Sequence, residues 1–587
     1  MGFLLARWPR VRVATAGLAS TILVGSLLLG GAASVAAKAP AAVDVQLLAV
    51  NDFHGALDPS LTKPTMPDGT ADPDQSLWYY RGGAEYLANF VNAAAATNPN
   101  TVKISAGDMI GASPLLSALY HDEPTVMAFN QMGFDFNVTG NHEYDEGWQE
   151  LLRMQNGGCN PVDGCLPGVP VFPGASFEFL AGNVIRLDNG ETLFPAYAVR
   201  QFDGVKVGFI GIALDSTPTI VTPSGVEGLE FQAEVATINH YVKVLKDTQN
   251  LKAIVVILHD GAAAGPTINS CTTSDPFFSN VVMKIDPEVD ALITGHSHNA
   301  YNCQVQVKKN YAPMLVTSAG YNGRYLTDIN LTVNATNGQV SAKTATNIPV
   351  ETPYLSAVPD PAMKTLLAPY RTASAPLANR IVGSITADIT RTGNSAGESA
   401  LGDVLADAQL ADTTAAERGG AVIGMTNPGG IRTDLRFNQI SGNEAAGEVT
   451  YGEAFAVQPF SNSLVTMTLT GAQIKTVLEQ QFVSCGQPAL GQKILQVSAG
   501  FTYSWSASAA CNSKISNMRL NSVAIDPVAS YRVTVNNFLA AGGDNFLGFK
   551  AGTDLLTGRI DLDAFVDYLG ENSPVAPGPQ NRITLDP

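Results

Sequence analysis

Positive charge is scarce in this chain. It contains 34 lysines and arginines against 52 aspartates and glutamates, which gives a formal net charge of −18 over 587 residues. A surface of that sign repels nucleic-acid polymers, and no basic stripe offers an exception, so we expect no nucleic-acid polymer as a partner. An anionic phosphate substrate would need local attraction, from metal ions or from a few well-placed arginines.

Long apolar runs are also missing, apart from one near the start. Three arginines precede an apolar stretch over residues 14–30, and the small residues Val35-Ala36-Ala37 suit a signal peptidase. This pattern is typical of a secretory signal peptide, which we assign to residues 1–37; an uncleaved membrane anchor is the alternative. No later segment has the roughly 20 apolar residues that a membrane span needs. We expect a secreted, extracellular protein, and the sequence leaves its retention on the envelope open.

Cysteine is rare, and no CxxC spacing occurs, which disfavours a cysteine-ligated zinc site. In an exported chain an even number of cysteines suggests disulfides, although six cysteines allow fifteen pairings. We expect each cysteine to pair with its neighbour, because each such pair closes a loop within one region. The expected pairs are Cys159–Cys165, Cys271–Cys303 and Cys485–Cys511.

What the sequence does have is a globular composition, with 45% hydrophobic residues, in a chain too long for one core. Over residues 43–350, β-branched apolar runs such as VDVQLLAV and LKAIVVIL alternate with helical patterns such as GGAEYLANFVNAAAA, which indicates a layered α/β architecture. A proline-rich stretch and a short helical pattern predict a linker over residues 351–376. A second mixed region follows over 377–570, and residues 571–587 are expected to form a loose tail.

Five apolar runs each end in a short cluster of possible metal ligands. Ligands gather beyond the carboxyl ends of strands in α/β sheets, so five clusters at one edge would converge. Each cluster alone is more often a turn or a core contact, but their joint occurrence favours a metal centre. They contain five of the seven histidines, and in order they read Asn51-Asp52-Phe53-His54, Gly107-Asp108, Gly140-Asn141-His142-Glu143, His259-Asp260-Gly261 and Gly295-His296-Ser297-His298.

The donor types in these clusters indicate the metals and the reaction. Carboxylate, imidazole and amide oxygen suit Zn²⁺, Mn²⁺ or Co²⁺. Two such ions about 3.5–4 Å apart can share a bridging carboxylate and activate a hydroxide for attack on phosphorus. The sequence therefore predicts two divalent cations and hydrolysis of a phosphate ester.

Three stretches of the second region point to the substrate. NPGGIR places Arg432 after a glycine turn, where a guanidinium suits bidentate binding of phosphate. VQPFSNS offers Phe460 and Asn462, and NNFLAAGGDNF offers Phe538 and Asp544. Two aromatic rings can stack a base, and a carboxylate can accept hydrogen bonds from ribose hydroxyls. For each phenylalanine alone, core packing is the more frequent role.

In these motifs the chain resembles the calcineurin-like metallophosphatases and, within them, the 5′-nucleotidase and UDP-sugar hydrolase family. The resemblance covers nearly all the mature chain. It implies a four-layer metallophosphatase domain, in which two mixed sheets are flanked by helices, followed by a second α/β domain that binds nucleotides. It implies two ions that share Asp108, one held by Asp52, His54 and His298 and the other by Asn141, His259 and His296.

The resemblance also implies roles around the reacting phosphate. His142 matches the family's transition-state histidine, and Asp145 matches the acid that orients it. The implied substrate contacts are Phe460 and Phe538 on the base, Asn462 beside it, Asp544 on ribose, Arg432 and Asn427 on phosphate and, on a looser alignment, Arg391 as a second phosphate arginine.

We therefore expect a secreted, metal-dependent 5′-nucleotidase that acts on a small-molecule nucleotide. Three alternatives stay open. A relative with the same metals can split UDP-sugars, dinucleotide pyrophosphates or 2′,3′-cyclic nucleotides; the sulfur-oxidising thiohydrolases share the fold; and a non-catalytic exported nucleotide-binding protein would lack metal ligands. Base preference and oligomeric state are not determined by the sequence.

Overall fold

Two six-stranded mixed sheets form the N-terminal half of the computed structural model, which describes residues 41–66, 72–165, 169, 171–483, 485–487 and 491–587. The signal peptide assigned to residues 1–37 lies outside these residues. The strands of the first sheet are, in spatial order, Val340–Pro349, Tyr325–Asn334, Ala42–Val50, Thr101–Ser105, Phe136–Val138 and Glu178–Leu180. Those of the second are Ala300–Val305, Met314–Ala319, Ala291–Thr294, Ala253–Leu258, Val205–Ile212 and Tyr197–Phe202.

The two sheets pack face to face through one set of alternating side chains. Val45 and Leu47 of the first sheet share a buried cluster with Val255 and Ile257 of the second. Since successive residues of a strand point to opposite faces, the residues between them face outward from this interface. Burial of both faces explains why the sequence of these strands is a nearly continuous apolar run.

Helices cover the outer face of each sheet. Leu48 packs with Leu87 and Phe129 on the outer side of the first sheet, and Val256 packs with Ile238 on the outer side of the second. This arrangement of helix, sheet, sheet and helix confirms the four-layer α/β fold. The α-helices of this half are Ala84–Ala95, Leu115–Ala118, Glu123–Met132, Trp148–Asn156, Glu234–Gln249 and Pro276–Asn280.

The C-terminal half is also α/β and has a core of its own. Its five-stranded sheet has the order Gln496–Val497, Ile423–Thr426, Ser530–Asn536, Ser463–Thr470 and Thr553–Ile560. A four-stranded sheet has the order Val523–Ala524, Ile515–Leu520, Phe501–Ser506 and Ile583–Asp586. The α-helices are Ala400–Thr413, Tyr451–Val457, Gly471–Glu479, Asn537–Ala540 and Asp561–Asn572.

Three small sheets complete the strands. The first joins Glu351–Pro353, Tyr79–Arg81 and Ser60–Thr62; the second pairs Leu229–Phe231 with Val184–Arg186; and the third pairs Ile381–Ser384 with Glu448–Thr450. The linker expected over residues 351–376 is therefore more ordered than its proline content indicated, because it begins in a strand. The division of the chain into two domains at this linker stays a prediction.

A long helix, Pro361–Ala378, occupies most of the linker and packs against the N-terminal half. Met363 and Leu367 are buried in the core on the outer side of the first sheet. Arg371 forms ion pairs with Asp58 and Glu85. The helix begins at Pro361, whose fixed φ suits the first helical position, and its N-cap is the side chain of Asp360. This segment is thus a packed helix that extends two residues beyond the predicted boundary.

The prediction of a loose tail over residues 571–587 is wrong. Ile583–Asp586 forms a strand parallel to Phe501–Ser506, and Ile583 is buried. Arg582 donates from both terminal nitrogens to the carboxylate of Asp407, at 2.8 Å each. The buried carboxylate of Glu398 accepts the backbone N–H groups of Arg582 and Ile583. Proline and glycine in this stretch indicated a loop, but these long-range contacts fix its end.

All three expected disulfides are present: Cys159–Cys165, Cys271–Cys303 and Cys485–Cys511. In the described part of the chain, no helix combines the length and the hydropathy that a membrane crossing requires.

The ion pair between Arg582 and Asp407 provides a test of how firmly the end of the chain is held. The two side chains are 13% and 17% exposed. Arg582→Met should lower the free energy of unfolding by about 3 kcal/mol, because it leaves a largely buried carboxylate without its partner. Urea denaturation followed by circular dichroism measures this change.

Arg436→Met is the matched control. Arg436 also contacts two aspartates, but its side chain is 47% exposed, so its loss should cost less than about 1 kcal/mol. Equal effects of the two substitutions would show that the C-terminal contact contributes no more than a surface ion pair.

Candidate active site

The five ligand clusters follow strands that end at one edge of the two packed sheets. Ala42–Val50, Thr101–Ser105 and Phe136–Val138 are parallel in the first sheet, and Ala253–Leu258 and Ala291–Thr294 are parallel in the second. Parallel strands carry their carboxyl ends to the same edge, so the topology brings the residues that follow them together.

The carboxylate of Asp108 lies at the centre of the resulting group. Its Oδ2 is 3.1 Å from Nε2 of His259, and both side chains are buried. Asp108, His259 and His296 offer ligand atoms within 4.8 Å of one another. Nδ1 of His296 is 3.0 Å from Oδ1 of Asn141. These four residues form one candidate ion site.

A second candidate ion site shares the same carboxylate. Oδ2 of Asp108 is 3.8 Å from Nε2 of His54. Nε2 of His298 is 3.0 Å from Nε2 of His54 and 3.3 Å from Oδ1 of Asp52. The structure thus brings together all seven residues that the sequence assigned as metal ligands, in the two groups that the family resemblance implied.

Five of these residues have left-handed backbone conformations. Their φ angles are 49° at Asp52 and His54, 48° at Asp108, 64° at His296 and 58° at His298. Such φ values are unfavourable for residues with a side chain and persist only where the surrounding structure enforces them. They cluster here because the chain must turn sharply at the strand ends to direct each side chain to one point.

Two histidines are oriented by backbone carbonyls. Nδ1 of His54 hydrogen-bonds the carbonyl of Gly111 at 2.9 Å, and Nδ1 of His259 hydrogen-bonds that of Ala106 at 2.7 Å. Each Nδ1 therefore carries a proton and donates it, which directs Nε2 to the centre, as in metal-binding histidines. Within the described residues, Nε2 of His259 and Oδ1 of Asp52 are buried and form no hydrogen bond, although Nε2 of His259 lies 3.1 Å from Asp108 and Oδ1 of Asp52 lies 3.3 Å from His298.

These two buried atoms form no hydrogen bond and are of the types that coordinate divalent cations. Burial is the largest single influence and disfavours the charged forms of Asp108 and His259, but the attractions to neighbouring groups together outweigh it, and the attraction between these two residues is the largest of them. The net effect holds the pKa of Asp108 well below its ordinary value and raises the pKa of His259 to about 10. Metal ligands must lose such protons, so an ion bound here would replace the imidazolium as the charge that compensates the carboxylate.

Glu143 holds two of the ligand loops in register. Its Oε2 accepts the N–H groups of Asp108 and Gly140, and its Oε1 accepts the N–H of Met109 and the side-chain amide of Asn137. Glu143 thus serves the structure of these loops, and its carboxylate is taken up by four hydrogen bonds. A Cβ on Gly140 would lie 2.2 Å from Oδ1 of Asp108, so the loop needs glycine for this close approach.

His142 lies beside the ion sites and is paired with Asp145. Its Nδ1 is 2.8 Å from Oδ2 of Asp145, and its backbone N–H donates to Oδ1 of Asp108 at 2.8 Å. Burial lowers the pKa of His142, but the charges of Asp145 and Asp108 outweigh it, and the net effect is a raised pKa. With Nδ1 engaged by Asp145, Nε2 is the ring nitrogen left for another partner.

A cavity of about 680 Å³ opens beside this centre and is lined by both halves of the chain. The N-terminal half contributes Asn141, His142 and His296; the C-terminal half contributes Asn427, Arg432, Phe460, Asn462, Phe538 and Asp544. The rings of His142 and Phe460 stack at 5.7 Å between centroids, and the Arg432 guanidinium lies 5.8 Å from the centre of the Phe460 ring. The two halves thus meet at the candidate catalytic histidine.

Asp544 is fixed by a network that the sequence did not reveal. Its Oδ2 accepts a hydrogen bond of 2.8 Å from Asn427, and its Oδ1 forms an ion pair with Lys493, which also lines the cavity. The side-chain oxygen Oδ1 of Asn427 in turn accepts a hydrogen bond from the side-chain amide of Asn536. No motif marked Lys493, because its partner is 51 positions away along the chain.

Arg391 is the predicted substrate residue that the structure separates from the others. It is exposed and is not among the described residues that line the cavity. Its Nη1 donates to the carbonyl of Ile431, next to Arg432, at 3.0 Å. Its role as a second phosphate arginine stays a prediction.

His121, which lies outside the five ligand clusters, also lines the cavity. Its Nδ1 is 2.6 Å from Oε2 of Glu146, and its Nε2 is 2.9 Å from Oδ2 of Asp163. The hydrogen bond to Glu146, assisted by that to Asp163, raises the pKa of His121 to about 9. The sequence showed no sign of this cluster, since its members come from three loops.

Comparison with known protein families agrees with this geometry. A model for calcineurin-like phosphoesterases matches residues 45–300, which contain all seven candidate metal ligands. A model for the 5′-nucleotidase C-terminal domain matches residues 380–551, which contain all seven candidate substrate contacts. Fold and site thus define a phosphoesterase of the calcineurin-like class, whose members bind divalent metal ions. Within that class, the chain belongs to the 5′-nucleotidase family.

Relatives of the chain have varied functions. The chain is 30% identical to the endonuclease YhcR of Bacillus subtilis over 92% of its own length and 41% of that protein's length. It is 30% identical to the cell wall protein Lmo0130 of Listeria monocytogenes over 93% of the chain and 70% of the relative. A 5′-nucleotidase precursor from Thermus thermophilus has the same fold, with a TM-score of 0.73 and 24% identity over 93% of this chain and 100% of that one.

The raised pKa of His121 predicts a pH-dependent contribution to stability. Because the folded-state pKa of about 9 exceeds the ordinary value of 6.5, the contribution is complete below pH 6.5 and is lost as the pH rises through 9. The difference in free energy of unfolding between the wild type and His121→Gln should therefore shrink between pH 6 and pH 10. Glu146→Gln should move this loss to lower pH. A constant difference would contradict the ion pair.

Proposed function

We propose that this protein is an exported, metal-dependent 5′-nucleotidase that hydrolyses nucleoside 5′-phosphates to nucleoside and phosphate. The observation that carries the proposal is the shared cavity. It is lined by two candidate metal ligands, Asn141 and His296, and by His142 from the N-terminal half, and by Arg432 and Asp544 from the C-terminal half. A substrate that fills it can touch both sets of residues at once.

Seven residues would hold two divalent ions, and the donor set of nitrogen and oxygen suits Zn²⁺, Mn²⁺ or Co²⁺. In this assignment one ion takes Asp52, His54 and His298, the other takes Asn141, His259 and His296, and Asp108 serves both. Bound ions would supply Lewis acidity, which neutralises charge on the phosphate and makes water a stronger nucleophile.

The protein's own side chains His142 and Arg432 would also act on the phosphate. Asp145 engages Nδ1 of His142, so Nε2 is the atom that holds a proton for the developing charge on a phosphoryl or leaving-group oxygen. Arg432 lines the same cavity and offers a planar guanidinium to the phosphate oxygens. Both groups favour the transition state because negative charge grows on the leaving-group oxygen as the ester bond breaks, while the phosphoryl oxygens remain negatively charged.

The nucleoside would be held by the C-terminal half. Phe460 and Phe538 lie along the cavity and can stack against the base, with Asn462 beside them. Asp544, which Lys493 and Asn427 hold in place, can accept hydrogen bonds from the ribose hydroxyls through its remaining lone pairs. In this proposal, domains 43–350 and 377–570 close on the substrate, and the helix of the linker is their connection.

The exported location is part of the proposal and has two supports. The three disulfides are of the kind that persists in oxidising compartments outside the cytosol. A relative of similar sequence is a cell wall protein.

A phosphoesterase with another preference among nucleotides is the second candidate, and the relative that is an endonuclease favours it. A panel of AMP, ADP, UDP-glucose, 2′,3′-cyclic AMP and single-stranded DNA separates the two. We expect AMP to give the highest kcat/KM, and poor turnover of DNA because the chain has a net charge of −18. If another compound of the panel gives the highest kcat/KM, the protein's main reaction is the hydrolysis of that compound.

The metal requirement and the role of His142 are tested together. Phosphate release from AMP should vanish after exhaustive chelation and return with added Zn²⁺, Mn²⁺ or Co²⁺. His142→Ala should lower kcat by roughly 100-fold or more, because it removes a positioned proton donor. Bound metal, measured by mass spectrometry, should stay at the wild-type level in His142→Ala. Activity that survives full chelation would rule out this mechanism.

Base stacking is tested with substrates that do and do not carry a base. Phe460→Ala and Phe538→Ala should each lower kcat/KM for AMP by roughly 10-fold or more, since one stacked base is worth about 1–3 kcal/mol. The same variants should hydrolyse p-nitrophenyl phosphate at near the wild-type kcat/KM. Equal losses on the two substrates would mean that the phenylalanines serve packing and do not bind the base.

A further inference from the structure

The aromatic ring of Tyr321 stacks on one candidate metal ligand. The rings of Tyr321 and His298 are 5.2 Å apart between centroids and within 17° of parallel. Arg324 fixes the tyrosine, because its guanidinium carbon lies 4.3 Å from the centre of the Tyr321 ring and its Nη1 donates to the Tyr321 hydroxyl. The imidazole therefore rests on a ring that is itself held.

His298 has less support of other kinds than His54 and His259 have. A carbonyl oxygen holds Nδ1 of His54, and another holds Nδ1 of His259. For His298, in contrast, the described residues include no hydrogen-bond partner of Nδ1. The His298 side chain is also 34% exposed, against 5% for His54 and 0% for His259. Burial and a second hydrogen bond therefore limit the rotation of this ring less than they do at His54 and His259, and its ring contacts, the stack on Tyr321 and the edge contact with His54, carry more of its orientation.

The loop that carries Tyr321 is tied to a second ligand of the same candidate ion. The N–H of Asn322 donates to the carbonyl of Asp52 at 2.8 Å. The side-chain amide of Asn51 donates to the carbonyl of Gly320 and to Oδ2 of Asp52, at 2.6 Å each. The loop thus contacts both the backbone of Asp52 and the ring of His298, and it fixes their positions relative to each other.

We infer that Tyr321 is a positioning residue for His298, and that the ion held by Asp52, His54 and His298 depends on the Tyr321 ring for its affinity. The other ion, held by Asn141, His259 and His296, makes no use of the loop and should be insensitive to it. This inference rests on the proposed metal centre and is independent of the identity of the substrate.

Metal binding, rather than activity, is the primary measurement. The purified protein is stripped of metal and titrated with Co²⁺, with bound ions counted by mass spectrometry and the visible absorption of the Co²⁺ sites followed. The wild type should bind two ions. In Tyr321→Ala one dissociation constant should rise by roughly 10-fold or more, within the 10–100-fold range for loss of a group that orients a metal ligand. The other constant should stay within about 3-fold of the wild type.

Three further variants make the result specific. Tyr321→Phe keeps the ring and should bind both ions with nearly wild-type affinity. Tyr311→Ala removes a tyrosine that is 37% exposed and should also be neutral. Tyr321→Ala combined with His298→Ala should bind metal no more weakly than His298→Ala alone, because the ring acts only through His298.

Three outcomes would overturn the inference. The first is that Tyr321→Ala binds both ions as tightly as the wild type, and the second is that Tyr321→Phe loses as much metal affinity as Tyr321→Ala. The third is that Tyr321→Ala weakens metal binding further when it is added to His298→Ala. If Tyr321→Ala fails to fold, as judged by circular dichroism, Tyr321→Leu replaces it with the same expectation, since leucine fills space without an aromatic face. A wild type that binds fewer than two ions would contradict the metal centre itself. If the wild type binds two ions and substitution of Tyr321 changes neither affinity, only the positioning role of Tyr321 is contradicted.

Discussion

The carboxylate of Asp108, buried between two sets of histidines, is the constraint on which the rest of the site depends. Asp52 and Asp108 are both almost fully buried and repel each other. Two adjacent buried carboxylates stay charged only if positive charge compensates them. One imidazole supplies part of this charge through its contact with Asp108. Divalent cations would supply more, and the unpaired ligand atoms around the carboxylate mark where they would bind.

This constraint explains several otherwise unfavourable features. The turns after the strands contain five ligands with a left-handed backbone conformation. They also contain Gly140, where a side chain would clash with Asp108, and Glu143, whose carboxylate accepts four hydrogen bonds. Each costs stability or restricts sequence, and each is retained because the ligands must meet at one point. Two packed sheets, with cores on both faces, give these turns a rigid base.

The second half of the chain adds what a metal centre lacks, which is a means to recognise a substrate. Arg432 and Phe460 reach the cavity from the C-terminal half, and the Phe460 ring stacks on His142. In the proposed reaction the same contacts place the phosphate on the ions and the nucleoside against the aromatic rings. A substrate that contacts both halves of the chain is held in the reactive position. A smaller substrate that contacts only one half lacks part of the binding energy.

The sequence by itself determined the layered α/β fold and the ligand clusters, because these depend on local periodicity and on residues close in the chain. It favoured the neighbour pairing of cysteines but left other pairings open. It did not reveal Lys493 beside Asp544, the cluster at His121 or the stacking of Tyr321 on His298. It also misassigned the last segment as a loose tail. In each case the deciding partner comes from a distant segment: Ile583–Asp586 becomes a strand only by pairing with Phe501–Ser506, whose position the tertiary fold sets. Secondary-structure propensity depends on neighbouring residues and contains no information about a distant partner, so only the tertiary structure could decide these features.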